Sequence, residues 1–214
     1  MMHRREFSQS LGVAAVALGV APLAMAQNRP PEDGADYVSL DKALPTEPKG
    51  KVEVIEFFWY NCPHCNNFEP ILEAWVQKLP RDVVFRRAPV AFRDTFVPQQ
   101  RLYYTLEAMG KIDTLHKKVF HAIHNERQTL DNQEQIATWV EKQGVDKKKF
   151  LDLYNSFATN GKTARAKQLQ DQYKISGVPA LAIGGRYVTD GAMAQGMPRA
   201  LQVTEFLMEK VRRS

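Results

Sequence analysis

Val52-Glu53-Val54-Ile55-Glu56-Phe57-Phe58-Trp59-Tyr60-Asn61-Cys62-Pro63-His64-Cys65 is the stretch on which the reading of this chain turns. Its first part is rich in β-branched and aromatic residues, and Pro48, Lys49 and Gly50 precede it as a turn signal. That pattern predicts a buried strand over 52–59. Beyond Cys65, the residues Phe68, Ile71, Leu72, Trp75 and Leu79 recur at helical spacing, which predicts a helix from Pro63 to Leu79. Pro63 suits the first turn of that helix, where a missing N–H costs little. Cys62 then stands at the helix N-terminus, where orphan N–H groups and the positive end of the dipole favour a thiolate. His64 offers a further positive charge beside it. Cys62 is therefore expected to be the reactive thiol, and Cys65, one turn further in, the more buried resolving thiol.

These are the only two cysteines in the 214 residues. With no other thiol to pair, their disulfide looks more like a reagent than a staple. A purely structural bridge closing so short a loop would constrain little chain entropy. A zinc site would need four ligands, whereas Cys62, His64 and Cys65 give three and no second C-x-x-C exists. Redox exchange is favoured over both, with no metal and no organic cofactor. A favourable contact between His64 and the Cys62 thiolate would stabilise the reduced state and make the disulfide more oxidising. Glu56 is an acid within an otherwise apolar strand. Either it points outward from a sheet edge, or it is buried near Cys65, where its pKa would rise and it could pass protons to and from that thiol.

The pattern Glu56-Phe57-Phe58-x-x-x-Cys62-Pro63-His64-Cys65 resembles the periplasmic thiol:disulfide oxidoreductases of the DsbA family. The resemblance implies an α/β, thioredoxin-like fold with an inserted all-helical domain. It places an acid six residues before the first cysteine, as Glu56 is. It also implies that the proline of Ser176-Gly177-Val178-Pro179 is cis and packs against the C-x-x-C motif. Val178 would then offer its backbone N–H and C=O to an extended substrate. Trp59-Tyr60-Asn61 and Asn66-Asn67 flank the motif differently from the best-known members, which bears on groove shape and redox tuning.

The ends agree with export. Arg4 and Arg5 precede a small apolar run from Leu11 to Val20, and Ala24-Met25-Ala26 forms an A-x-A cleavage site. Residues 1–26 read as a signal peptide, with Sec and twin-arginine routes both open. Either route leads to the periplasm, where disulfides persist. The remainder divides into a first thioredoxin-like part (27–97), a helical insertion (98–174) and a second thioredoxin-like part (175–214). The net charge of +5 is mild. Arg81, Arg86, Arg87 and Arg93, with Lys147–Lys149, read as solvated faces, and no motif accompanies them to suggest nucleic acid.

Along the chain, Tyr37–Leu40 reads as a short strand and Val83–Val90 as a strand parallel to 52–59. Helical stripes occupy most of the insertion. They include a segment with Asp131 as N-cap and Gly144 as stop, then Lys147–Phe157 and Lys162–Tyr173. Ala180–Ile183 and Arg186–Val188, joined by Gly184-Gly185, predict a hairpin, and Pro198–Arg212 a closing amphipathic helix. His116, His121 and His124 lie on insertion helices, and no acid or thiol cluster marks them as metal ligands. Phe92, Met193 and Met197 are candidates to line an apolar groove near the cysteines.

The expected activity is donation of the Cys62–Cys65 disulfide to unfolded, newly exported cysteine-containing proteins. The resemblance implies reoxidation by a quinone-linked membrane protein of the DsbB type. A monomer is expected. A periplasmic reductase or isomerase running in the opposite direction is the alternative. A non-catalytic chaperone that keeps an inert disulfide is a third reading.

Overall fold

The computed structural model describes residues 29–213. The signal-peptide reading of 1–26 lies outside the described residues. The sheet is built from β1 (Val38–Ser39), β2 (Val52–Phe58), β3 (Val83–Pro89), β4 (Ala180–Ile183) and β5 (Tyr187–Asp190), in the order β1-β5-β4-β2-β3. β2 and β3 are parallel, with Val52 opposite Val83, and α1 (Pro63–Val76) makes the crossover between them. β4 runs antiparallel to β2, with Ile55 opposite Ala182.

All seven residues of β2 are buried, because both faces of this central strand are covered. Val52 and Val54 meet Phe68 and Leu72 of α1 and Leu201 and Leu207 of α7 (Met197–Arg212). Ile55 and Phe57 face the other way, against Leu169, Tyr173 and Ile175. The period of two puts Glu56 on the α1 face with Val52, Val54 and Phe58.

Between β3 and β4 run α2 (Val97–Ala108), α3 (Ile112–His124), α4 (Gln133–Lys142), α5 (Lys147–Tyr154) and α6 (Phe157–Gln172). Their apolar stripes pack together through Leu102, Leu106, Val119, Phe120, Ile136, Trp139 and Phe150. That cluster continues into Phe58, Tyr60, Cys62 and Cys65, so the helical block rests directly on the end of β2.

Several boundaries differ from the sequence reading. The cap of α4 is Asn132, which accepts from the Gln135 N–H at 3.0 Å; Asp131 lies one residue too early. α5 ends at Tyr154, and α6 begins at Phe157, well before Lys162. Ser156 causes that break: its hydroxyl accepts from the Thr159 N–H at 3.2 Å and starts a new helix. α1 stops at Val76, three residues short of Leu79. The hairpin stands as expected, with β4 antiparallel to β5. Gly184 and Gly185 both take positive φ, 58° and 69°, as a tight hairpin turn requires. A Cβ at Gly185 would also collide with the Leu44 carbonyl oxygen.

Candidate active site

Cys62 is the N-cap of α1, with φ −89° and ψ 116°, and Pro63 occupies the first turn. The cap geometry leaves the Cys62 side chain beside unpartnered helix N–H groups. Both cysteines are free thiols in this structure. Cys62 is 7% exposed, whereas Cys65 is fully buried. Their titrations diverge accordingly. The Cys62 pKa is pulled down to about 6, chiefly by a hydrogen bond from the Cys65 thiol, with backbone N–H groups and the His64 charge assisting. Burial first of all, then the Cys62 bond and charge and the Glu56 charge, push Cys65 up. One thiol is thus set to ionise near neutrality, while its partner holds its proton.

The loop before β4 faces this pair. The Val178–Pro179 peptide bond is cis, and the Cys62 thiol donates to the Val178 carbonyl oxygen at 3.5 Å. An open cleft of about 440 Å³ adjoins them, lined by His64, Val178, Pro179, Asp190, Gly191 and Met197 among others. Met197 therefore joins the groove. Met193 lines a neighbouring cleft with Val38, Leu40 and Tyr173. Phe92 instead sits edge-on to Phe96, whose ring stacks on Trp59 at 3.6 Å.

Beneath the thiols lies a polar cluster that the sequence reading missed. Glu56 is fully buried, which excludes an outward edge position. Arg87, read from sequence as a solvated residue, has a side chain only 14% exposed. Its Nε donates to Glu56 Oε2 at 2.9 Å and its NH2 group donates to Glu69 Oε2 at 3.0 Å. Two carboxyl groups therefore share one guanidinium across β2, β3 and α1. His116 extends the cluster from α3: its Nδ1 lies 2.8 Å from the Tyr60 hydroxyl and its Nε2 3.3 Å from Glu69 Oε1. Burial, reinforced by the Glu69 charge, raises the Glu56 pKa to about 8 against the pull of Arg87. Burial also works against ionisation of Glu69, but bonds from His116 and Arg87 outweigh it and hold that carboxyl low. The acid in an apolar strand was the one sequence signal of this cluster. Arg87, Glu69 and His116 are far apart in the chain and gave none.

The other histidines do not converge. His121 meets Glu126, while His124 Nε2 lies 2.8 Å from the Tyr60 carbonyl oxygen. Among the described residues, no group of three or more His, Cys, Asp or Glu is placed to hold a metal ion. No described helix is long and apolar enough to cross a membrane.

A family model described as "DSBA-like thioredoxin domain" matches residues 53–203. The thiol:disulfide interchange protein DsbA of Burkholderia cepacia is 42% identical over 203 residues, covering 94% of this chain and 96% of that protein. The protein of the same name from Bordetella parapertussis is 40% identical and covers 99% of this chain and 100% of its own length. Among solved structures, Pseudomonas aeruginosa DsbA superposes with a TM-score of 0.81 at 42% identity, covering 84% of this chain and 94% of that one.

Proposed function

The chain belongs to the DSBA-like thioredoxin family and is a protein thiol:disulfide oxidoreductase with a thioredoxin-like α/β fold, and we propose that it works as a periplasmic disulfide donor through Cys62 and Cys65. The observation that carries this is the placement of the two thiols: Cys62 caps the N-terminus of α1, 3.5 Å from the Val178 carbonyl oxygen beside the cis Pro179, while Cys65 is buried one turn in, a setting that pulls the Cys62 pKa down and pushes that of Cys65 up. A stabilised Cys62 thiolate is a good leaving group and favours the reduced form, which makes the disulfide oxidising.

In the donor reaction, a substrate thiolate attacks the Cys62 sulfur of the Cys62–Cys65 disulfide. The new bond joins substrate to Cys62, and Cys65 leaves as a thiolate that takes up a proton. Glu56, buried and holding its own proton near neutrality, supplies it; its Oε1 has no hydrogen-bond partner among the described residues. A second substrate thiolate then attacks the substrate sulfur of the mixed disulfide and expels Cys62 as its thiolate. The substrate is oxidised by two electrons and the enzyme disulfide is reduced to the dithiol. Val178 and Pro179 hold the extended substrate beside Cys62, supported by their place in the cleft and the 3.5 Å approach of Cys62 to the Val178 oxygen. Pro63 and His64 tune the pair.

The substrates in this reading are cysteine-bearing polypeptides newly exported through the route that a cleaved 1–26 leader would open. The dithiol is returned to the disulfide by a membrane oxidase of the DsbB type that passes electrons to quinone. The enzyme acts as a monomer and needs no metal or organic cofactor. The test is trapping: Cys65→Ser, with Cys62 first charged as a mixed disulfide with glutathione, should react with a reduced, unfolded protein, release glutathione as its thiol and accumulate the Cys62–substrate disulfide, and Cys62→Ser treated alike should accumulate none. Unimpaired substrate oxidation by both variants would sink the reading and favour a non-catalytic module.

A further inference from the structure

His116 has no part in the exchange steps above, yet it is a titratable side chain only 3% exposed. The rings of Tyr60, Phe58, Phe120 and Tyr103 surround it at centroid distances of 5.2 to 5.9 Å. Its two nitrogens make different bonds. With the ring hydrogen on Nε2, His116 donates to Glu69 Oε1 at 3.3 Å. Nδ1 of the neutral ring then accepts from the Tyr60 hydroxyl. Burial favours that neutral ring, outweighing the Glu69 carboxylate. The bonds run in one direction into Glu69: Tyr60 O–H to His116, His116 N–H to Glu69, with Arg87 donating to Glu69 and to Glu56.

We propose that His116 is a positioning residue for the thiol chemistry: its bond to Glu69 assigns the single proton shared by the two carboxyls to Glu56, the one whose charge acts on Cys65. The geometry supplies the asymmetry. Glu69 receives donors on both oxygens, from His116 and Arg87, whereas Glu56 receives Arg87 on Oε2 and nothing on Oε1. A carboxylate with more donors is the one that keeps its charge, and its neighbour takes the proton. The opposite shifts of Glu56 and Glu69 agree. The groups that act on the cluster from the surrounding elements are Arg87 on β3, Glu69, Glu73 and Cys65 on α1, Tyr103 on α2, and Tyr60 after β2. The inference rests on the reading of Glu56 as the proton partner of Cys65.

The experiment is titration of the Glu56 carboxyl by carbon-13 NMR in the reduced full-length mature protein. In His116→Phe, Glu69 loses a donor and competes for the proton. Arg87 is then left to Glu56, whose pKa should fall by about one pH unit. In His116→Gln, whose amide still donates, the Glu56 titration should stay near that of the parent. Glu69→Gln should lower Glu56 as His116→Phe does, and adding His116→Phe to Glu69→Gln should lower it no further. If His116→Phe fails to fold, the Tyr60→Phe/His116→Phe pair removes the stranded hydroxyl, and the Gln and Glu69→Gln arms stand without it. An unchanged Glu56 titration in His116→Phe or Glu69→Gln, or an equal fall in His116→Gln, overturns the proposal. Exchange rates of Glu56→Gln test the underlying reading separately: full rates there would remove the role of Glu56 while leaving the carboxyl titration to decide that of His116.

Discussion

The sulfur of Cys62 lies 3.5 Å from the carbonyl oxygen of Val178, a residue 116 positions away in sequence. The contact joins the first turn of α1 to the loop entering β4. It is a bond only the protonated thiol can donate, so ionisation of Cys62 or its bonding to substrate frees the Val178 oxygen. An extended polypeptide held at Cys62 can then donate a backbone N–H to that oxygen.

This makes a backbone prediction. Methylating, one at a time, the nitrogens flanking the reactive cysteine of a peptide substrate should slow exchange with Cys62 at one position, by about fivefold for one lost hydrogen bond. Exchange with a small dithiol should not depend on that position. Equal rates for all the methylated peptides would remove Val178 from substrate binding.

The Cys62 thiolate owes most to the Cys65 thiol, with His64 further down the order of causes. Cys65→Ala should therefore raise the Cys62 pKa well above 6, toward that of an ordinary thiol, while Cys65→Ser, which keeps a donor, should raise it less. Thiolate absorbance against pH reads both. A larger rise in His64→Ala than in Cys65→Ala would reverse this order.

Glu56 has a folded pKa near 8 against an ordinary value of 4.5. The unfolded chain releases that proton first, so the stability tied to Glu56 is full below about 4.5 and is lost as pH rises to about 8. Glu56→Gln removes the titration, and its amide can still accept from Arg87. The variant should gain on the parent progressively over that range, by more than about 1 kcal/mol at the upper end. Urea unfolding at several pH values measures this. A constant difference between the two proteins would show that Glu56 is not held protonated.

Arg87 compensates two buried carboxyls, so removing it should cost far more than removing a surface arginine. Arg87→Met is expected to lose about 3–5 kcal/mol at neutral pH. The loss should shrink in acid, where Glu69 takes a proton. A penalty under about 1 kcal/mol, as for exposed pairs, would mean that Arg87 is not held by Glu56 and Glu69.

What the sequence disclosed follows from the range of each interaction. The β2–α1 passage is local: strand composition, Pro63 and the cysteine spacing lie within a few residues, and the structure reproduces them. The Gly184-Gly185 turn is equally local. The cap at Asn132 was displaced by one because Asp131 and Asn132 are both good caps, and only the chain direction chooses between them. The break at Ser156 was blurred because apolar residues on both sides suit a helix. Arg87 was misjudged because its partners come from β2 and α1, and a charge reads as exposed until a distant carboxylate is brought to it. His116 is the same case, since only the packing of α3 on α1 reveals its contact with Glu69.

The reduction potential of the mature Cys62–Cys65 pair, measured by equilibration with glutathione buffers, decides whether the protein donates or breaks disulfides. It should lie well above that of the glutathione couple, as a thiolate stabilised at Cys62 requires. A potential at or below that of thioredoxin would contradict disulfide donation and assign the protein to the reducing direction.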